Sequence, residues 1–263
     1  MFAAVLGLVI GVVIGGLGGG GGVLTVPVLV YLLGRTAQDA TASSVLIVGV
    51  TAAVGVLART RSGVLHWRVG LAFGAVGIPS AAVGTLLNDR VAEPVLLLSF
   101  AASTLLAAVA MLLGTRTAPT HPSGAPDGAV AVGSRPAVRT VSTGLAIVSS
   151  GAVIGFLTGF LGVGGGFLMV PALVIILRLP MTHAVGTSLL IITVNSAAAL
   201  ATRAGVAAFD WDLLVPFTGA AIAGGFVGKC VSDRVASATL SRAFAVLLLL
   251  VGALVGVETL LCP

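Results

Sequence analysis

GGLGGGGGVLTVPVLVYLL at residues 15–33 is answered without a gap by GFLGVGGGFLMVPALVIIL at residues 159–177. Each copy is a glycine run leading into an apolar stretch that carries one proline. The same offset of 144 extends well past the glycines: Pro27 recurs as Pro171, Ser44 as Ser188, Arg59 as Arg203, Trp67 as Trp211, Asp89-Arg90 as Asp233-Arg234 and Phe100 as Phe244. The chain has only 2 tryptophans, and both obey it. The sequence therefore reads as one unit built from two repeats, residues 1–114 and 141–263, joined by a polar linker at 115–140.

Composition sets the compartment. The 263 residues are 58% hydrophobic and only 8% charged, whereas a soluble domain carries about 25% charged residues. A mean hydropathy of +1.21 places the chain in a bilayer. Apolar runs near 41–58, 67–87, 94–114, 185–202, 211–230 and 238–257 each approach the ~20 residues that span a membrane as helix. Phe2 to Leu17 has the apolar character of a signal peptide but no basic n-region and no small-residue cleavage site. Its copy at 145–161 marks it as a helix instead. Gly7, Gly11 and Gly15, matched by Gly151, Gly155 and Gly159, form a four-residue ladder on which another helix can pack closely.

The net charge of +5 comes from Arg in the polar connections, which suits loops facing anionic lipid on the cytoplasmic side. Nucleic acid is excluded as a partner, because no basic stripe interleaved with aromatics exists. Cys230 and Cys262 have no metal or redox spacing, and His121 stands in a Pro- and Gly-rich linker without a second ligand. No metal and no cofactor is expected. Gly16-x-Gly18-x-x-Gly21 matches a dinucleotide fingerprint in form only, since no βαβ unit surrounds it. With no H-E-x-x-H and no G-x-S-x-G, the chain is not expected to be an enzyme.

The glycine run decides the topology. Phe2–Leu17 and Val23–Leu33 together are too long for one crossing of an ~30 Å hydrocarbon core. Either one bent helix continues across, giving parallel repeats, or the chain turns back as a hairpin, giving inverted ones. The continuous path divides the 13 Lys and Arg residues seven to six between the two sides. The hairpin path puts ten on one side and leaves Arg35, Arg90 and Arg203 on the other, as the positive-inside rule favours. The expected fold is thus an all-α integral membrane protein of about eight membrane segments. Each repeat has a Gly-broken helix or hairpin plus three transmembrane helices; the repeats are inverted, the linker is cytoplasmic and both termini lie outside the cytoplasm.

Two interruptions at membrane depth are tolerated only where the backbone is buried in protein or lines a cavity. The helices that follow Gly20-Gly21-Gly22 and Gly164-Gly165-Gly166 would present free N–H groups and partial positive charge, which suits a small anion. No acidic residue is central in an apolar run, so a buried carboxylate for a cation or proton is missing. Hydroxyl and amide donors are present instead: Thr25, Ser43, Ser44 and Thr51 in the first repeat, Thr187, Ser188 and Asn195 in the second. The plainer reading of each is a bond to its own helix backbone. Arg59 and Arg203 read as helix-end residues reaching for headgroups, with a gating or substrate-attracting role as the alternative, and Trp67 and Trp211 as an interfacial belt.

The paired motifs GGGGGVLTVP at 18–27 and GVGGGFLMVP at 162–171, followed by Ala40 to Ser44 and Ala184 to Ser188, resemble the TauE/SafE sulfite exporter family over nearly the whole chain outside the linker. The resemblance implies a multi-pass carrier of the bacterial inner membrane that moves sulfite or a related sulfur-containing anion such as an organosulfonate. Thr187-Ser188 fits the family's usual pattern and Ser43-Ser44 is a small-polar variant of it. Sulfite export is the first expectation. Uptake of a sulfonate, carriage of a different small anion, and a passive anion channel are the alternatives. The expected partners are the anionic substrate and the lipid bilayer; a homo-oligomer is allowed, and the coupling ion is left open.

Overall fold

Gly18 has φ +83, a left-handed conformation that residues with a Cβ rarely adopt, and there the first helix stops. The computed structural model describes residues 2–34, 37–88, 91, 93–114, 140–161, 166–203 and 210–261. Among the described residues there are ten α-helices and no strand. They are α1 (Phe2–Leu17), α2 (Gly20–Pro27), α3 (Ala37–Leu57), α4 (Trp67–Asn88), α5 (Glu93–Gly114), α6 (Thr140–Leu161), α7 (Gly166–Ile175), α8 (Met181–Arg203), α9 (Trp211–Ser232) and α10 (Ser237–Leu261). The linker at 115–139, Gly164 and Gly165, and the Asp89-Arg90 pair lie outside the described residues.

Proline shapes the two short helices differently. Pro27 offers no N–H, and after it the α2 ladder widens into a π turn over Val28–Leu32. Pro171 is accommodated inside α7, which runs on to Ile175. Both segments then leave through a left-handed residue, Gly34 at φ +64 and Arg178 at φ +50.

Length and composition let five helices cross a membrane: Trp67–Leu87, Val95–Leu113, Met181–Ala201, Trp211–Ser232 and Ser237–Val257. The run expected at 41–58 falls in α3, whose apolar part among the described residues is Ser43–Leu57. The outer surface is apolar, with Leu106 72% and Leu57 70% exposed, while Ala52, Ala108, Ala184 and Ala221 are fully buried. These alanines share the interior with Phe73, Phe217 and Phe244, and close approach at small residues drives helix association in lipid, where hydrophobic burial does not. Trp67 and Trp211 are both exposed, as an interfacial belt requires.

Close backbone contact fixes the helix pairs. On α1, a methyl added to Gly7, Gly11 or Gly15 would run into the carbonyl of Phe217, Ala221 or Gly225 on α9. On α6, Gly151, Gly155 and Gly159 meet Phe73, Gly77 and Ala81 of α4. These two sets are the same contacts displaced by 144 positions, with the partner half exchanged. Numbers rise together in both, so each pair runs parallel. The α3–α8 pair runs the other way: Gly49 faces Ser196, Gly55 faces Leu189 and Gly186 faces Arg59. Helices α5 and α10 are also antiparallel, with Thr104 against Gly252 and Ala101 against Gly256.

Candidate functional site

The two glycine breaks touch. A Cβ on Gly19 would collide with the Gly166 carbonyl, and one on Gly166 would come within 3.2 Å of the Gly19 carbonyl. Gly18 lies just before them against α8, where an added Cβ would sit 2.7 Å from the Ser188 hydroxyl and 3.1 Å from the Val185 Cα. Only glycine permits this approach of two chain interruptions. Gly19 caps α2 with no side-chain hydrogen bond, so the N–H groups of that first turn receive no acceptor from the cap. Across the junction Phe167, the second residue of α7, meets Phe100 of α5 edge to face at 5.3 Å.

The expected donors divide into several groups. Gly20 opens α2, Gly21 and Gly22 are buried within it, and Gly166 opens α7; Gly164 and Gly165 lie outside the described residues. Thr25 is buried and donates to the Gly21 carbonyl at 2.7 Å, and Ser188 donates to the Val185 carbonyl at 2.9 Å. Both hydroxyls thus satisfy their own helices, as the plainer reading held. Thr187, fully buried, accepts the His66 N–H at 3.4 Å and so ties the chain before α4 to α8. His66 and His183 pair there, Nε2 to Nδ1 at 3.2 Å. Ser44 is buried and Ser43 half-buried on α3. The Asn195 Oδ1 and the Thr51 Oγ1 are buried with no hydrogen-bond partner among the described residues.

Thr51 does not face the glycine junction. It lines a narrow cleft with Ile14 and Gly15 of α1, Gly55 and Arg59 after it on the chain, and Gly225, Phe226 and Lys229 of α9. The cleft's volume of about 10 Å³ is about that of a single water site. Arg59 is only 3% exposed and donates through Nη2 to the Gly15 carbonyl at 2.6 Å. Its Nη1 is buried with no partner among the described residues. Lys229 pairs with Asp233 at 3.2 Å on the next turn, and Asp233 is the carboxylate whose field reaches Arg59.

Arg59 departs from the headgroup reading that its place at a helix end suggests. A helix-end arginine was expected to reach for headgroups, but this one turns inward and fastens α3 to the last turn of α1. The signal was available in part: Arg59 follows an apolar run and recurs at the repeat offset. Its direction depends on α1 and α9 lying alongside, which the local sequence does not specify. The Arg203 side chain lies outside the described residues.

Comparison with known proteins gives one consistent picture. The profile of the family described as "Sulfite exporter TauE/SafE" matches residues 3–255. A "Probable membrane transporter protein" of Xylella fastidiosa strain Temecula1 is 31% identical over 252 residues, covering 93% of this chain and 90% of that one. Its counterpart in strain 9a5c is 30% identical over 249 residues at the same coverage. "Probable membrane transporter protein YunE" of Bacillus subtilis strain 168 is 26% identical, covering 94% of each chain. No solved structure gives a significant match.

Proposed function

We propose that this chain, which belongs to the TauE/SafE sulfite exporter family, carries a small sulfur-containing anion, sulfite first among them, across the bacterial inner membrane. The chain is a multi-pass membrane protein of a transporter family; substrate, path and direction are the proposal. The observation that carries it is the contact of Gly19 with Gly166, which brings two helix interruptions to one place. Half-helices that begin at such a junction aim their N–H dipoles at it, where they favour negative charge.

In this reading the two repeats are inverted. Helices α3 and α8 occupy corresponding places in the two repeats and run antiparallel, so a two-fold axis relating them lies across the helices and not along them. Contacts at α1–α9 and α6–α4 that correspond one for one support the same axis. The hairpin path then gathers Arg59, Arg61, Arg68, Arg178, Lys229 and Arg234 at one end, which is the cytoplasmic end under the positive-inside rule. Movement of one half against the other about the touching breaks would expose the junction alternately to the two sides. No nucleotide motif supplies energy, so the driver is an ion or substrate gradient.

Thermal stabilisation of the purified protein by sulfite, sulfate, thiosulfate, small sulfonates and chloride tests the substrate class, since a ligand that binds the native state stabilises it by RT ln(1 + [L]/Kd). Saturable stabilisation by a sulfur oxyanion, with chloride inert, is the expected result. Equal and weak shifts with every salt would remove the specific site.

A further inference from the structure

We propose that the cleft between Thr51, Arg59 and Lys229 is a second anion site, a loading position for a small oxyanion at the Arg-rich end of the molecule. That it holds the transported anion rests on the carrier reading above. That it binds an anion stands on its own geometry.

Arginine keeps its charge in proteins and offers five N–H donors. Arg59 is 97% out of solvent, yet among the described residues its guanidinium is held by one bond, from Nη2 to the Gly15 carbonyl at 2.6 Å. The buried Nη1 has no acceptor among the described residues, and such a buried donor on a charged group is costly to leave unmade. Thr51 sets a second unpartnered donor in the same cleft, its Oγ1 equally without an acceptor. Lys229 adds a second cation, its side chain 22% exposed and paired with Asp233 at the C-cap of α9. Among the described residues no carboxylate lines the cleft, and Asp233 stands behind Lys229. A planar fork, a hydroxyl and an ammonium form a donor set for an oxyanion with several oxygens, for which arginine forks are suited.

The cleft lies beside the last turn of α1, four residues before the first break ends. Arg59 holds Gly15 there by its carbonyl. An oxyanion that draws the guanidinium toward Thr51 and Lys229 competes with that hold, so occupancy is linked to the position of α1 at the junction. Because the volume is about 10 Å³, binding requires α9 or the Lys229 side chain to yield. The corresponding place in the other half has Asn195 for Thr51 and Thr85 for Lys229. The second cation is thus confined to one end of the molecule, as expected for a loading site and not for a shared central one.

The test is sulfite and sulfate binding to the purified full-length protein in lipid nanodiscs, for wild type, Thr51→Val, Lys229→Gln, Arg59→Lys and Gly19→Ala, with each variant's ligand-free melting temperature recorded. Thr51→Val and Lys229→Gln should weaken binding about 10-fold or more with an unchanged ligand-free melt, the loss of one hydrogen bond to a charged group. Arg59→Lys should weaken it at least about 10-fold while keeping its salt dependence. Gly19→Ala, scored only where its ligand-free melt shows a folded protein, should lose flux yet retain this binding. Wild-type affinity in folded Thr51→Val and Lys229→Gln, with binding lost in Gly19→Ala, would place the anion at the breaks alone and overturn the loading site while leaving the carrier standing. No oxyanion binding in wild type would overturn both.

Discussion

Around Gly15 the first helix meets Thr51, Arg59 and Lys229, whereas the sequence positions that correspond to these three in the other half hold Asn195, Arg203 and Thr85. The helix crossings beneath these two places are alike: Gly11 against Ala221 in one, Gly155 against Gly77 in the other. Thr85 sends its hydroxyl to the Ala81 carbonyl at 3.0 Å and lies 3.5 Å from the Gly159 carbonyl, where Arg59 instead grips Gly15 at 2.6 Å. The comparison separates two kinds of constraint. Where backbone lies on backbone, any side chain is excluded and both halves remain small. Where a cleft is lined by side chains, each half can take its own chemistry, and only one has two cations.

The largest effect should come from breaking the shared crossings. Gly11→Leu and Gly155→Leu each force a side chain into a backbone carbonyl, and each should cost about 3 kcal/mol or more, at the upper end of overpacking penalties. Loss of monodisperse protein on size-exclusion chromatography is the readout for both. If one variant folds normally and the other fails, the two crossings are not equivalent and the proposed two-fold relation is wrong.

Next in size is the junction. Gly19→Ala places a methyl against the Gly166 carbonyl, and sulfite flux into proteoliposomes should fall to background, with size-exclusion chromatography and the melting temperature separating lost transport from lost fold. Normal flux would mean that the touching breaks are not on the transport path. A smaller effect follows from exchanging the residues that differ: Lys229→Thr should weaken anion binding about 10-fold, equivalent to about 1.4 kcal/mol, and Thr85→Lys should leave wild-type affinity unchanged. Both are measured by thermal stabilisation. A gain of affinity in Thr85→Lys would show that the other half holds an equivalent cleft.

The smallest effect concerns the exits of the short helices. Arg178 holds φ +50 at the position where the first half has Gly34 at φ +64. A left-handed residue with a Cβ costs about 1–2 kcal/mol, so Arg178→Gly should raise stability by about 1 kcal/mol. A melting temperature that falls instead would mean that the Arg178 side chain contributes more than its backbone costs.

Much of the architecture was legible because it is written in small residues at fixed spacing. Gly7, Gly11 and Gly15 announced a packing face, and α9 lies on it. The two glycine runs announced interruptions, and they meet at Gly19 and Gly166. The hydroxyl inventory was less informative. Thr25 and Ser188 bond to carbonyls four and three residues back on their own helices, a choice that composition cannot reveal because a hydroxyl serves a helix or a ligand equally well. Thr51 was named for the central junction but faces a different cleft, and Arg59 was assigned to the headgroups but is buried. Both depend on the azimuth at which α1 and α9 pass α3, a tertiary property that a helix whose apolar residues surround it on all sides does not encode.

Counterflow tests the central claim most directly. Proteoliposomes loaded with unlabelled sulfite and diluted into radiolabelled sulfite should take up label transiently above its equilibrium level, with a saturable rate that Gly19→Ala abolishes. Flux that rises in proportion to concentration, with no acceleration by sulfite on the far side, would contradict a carrier and leave an open anion pathway in its place.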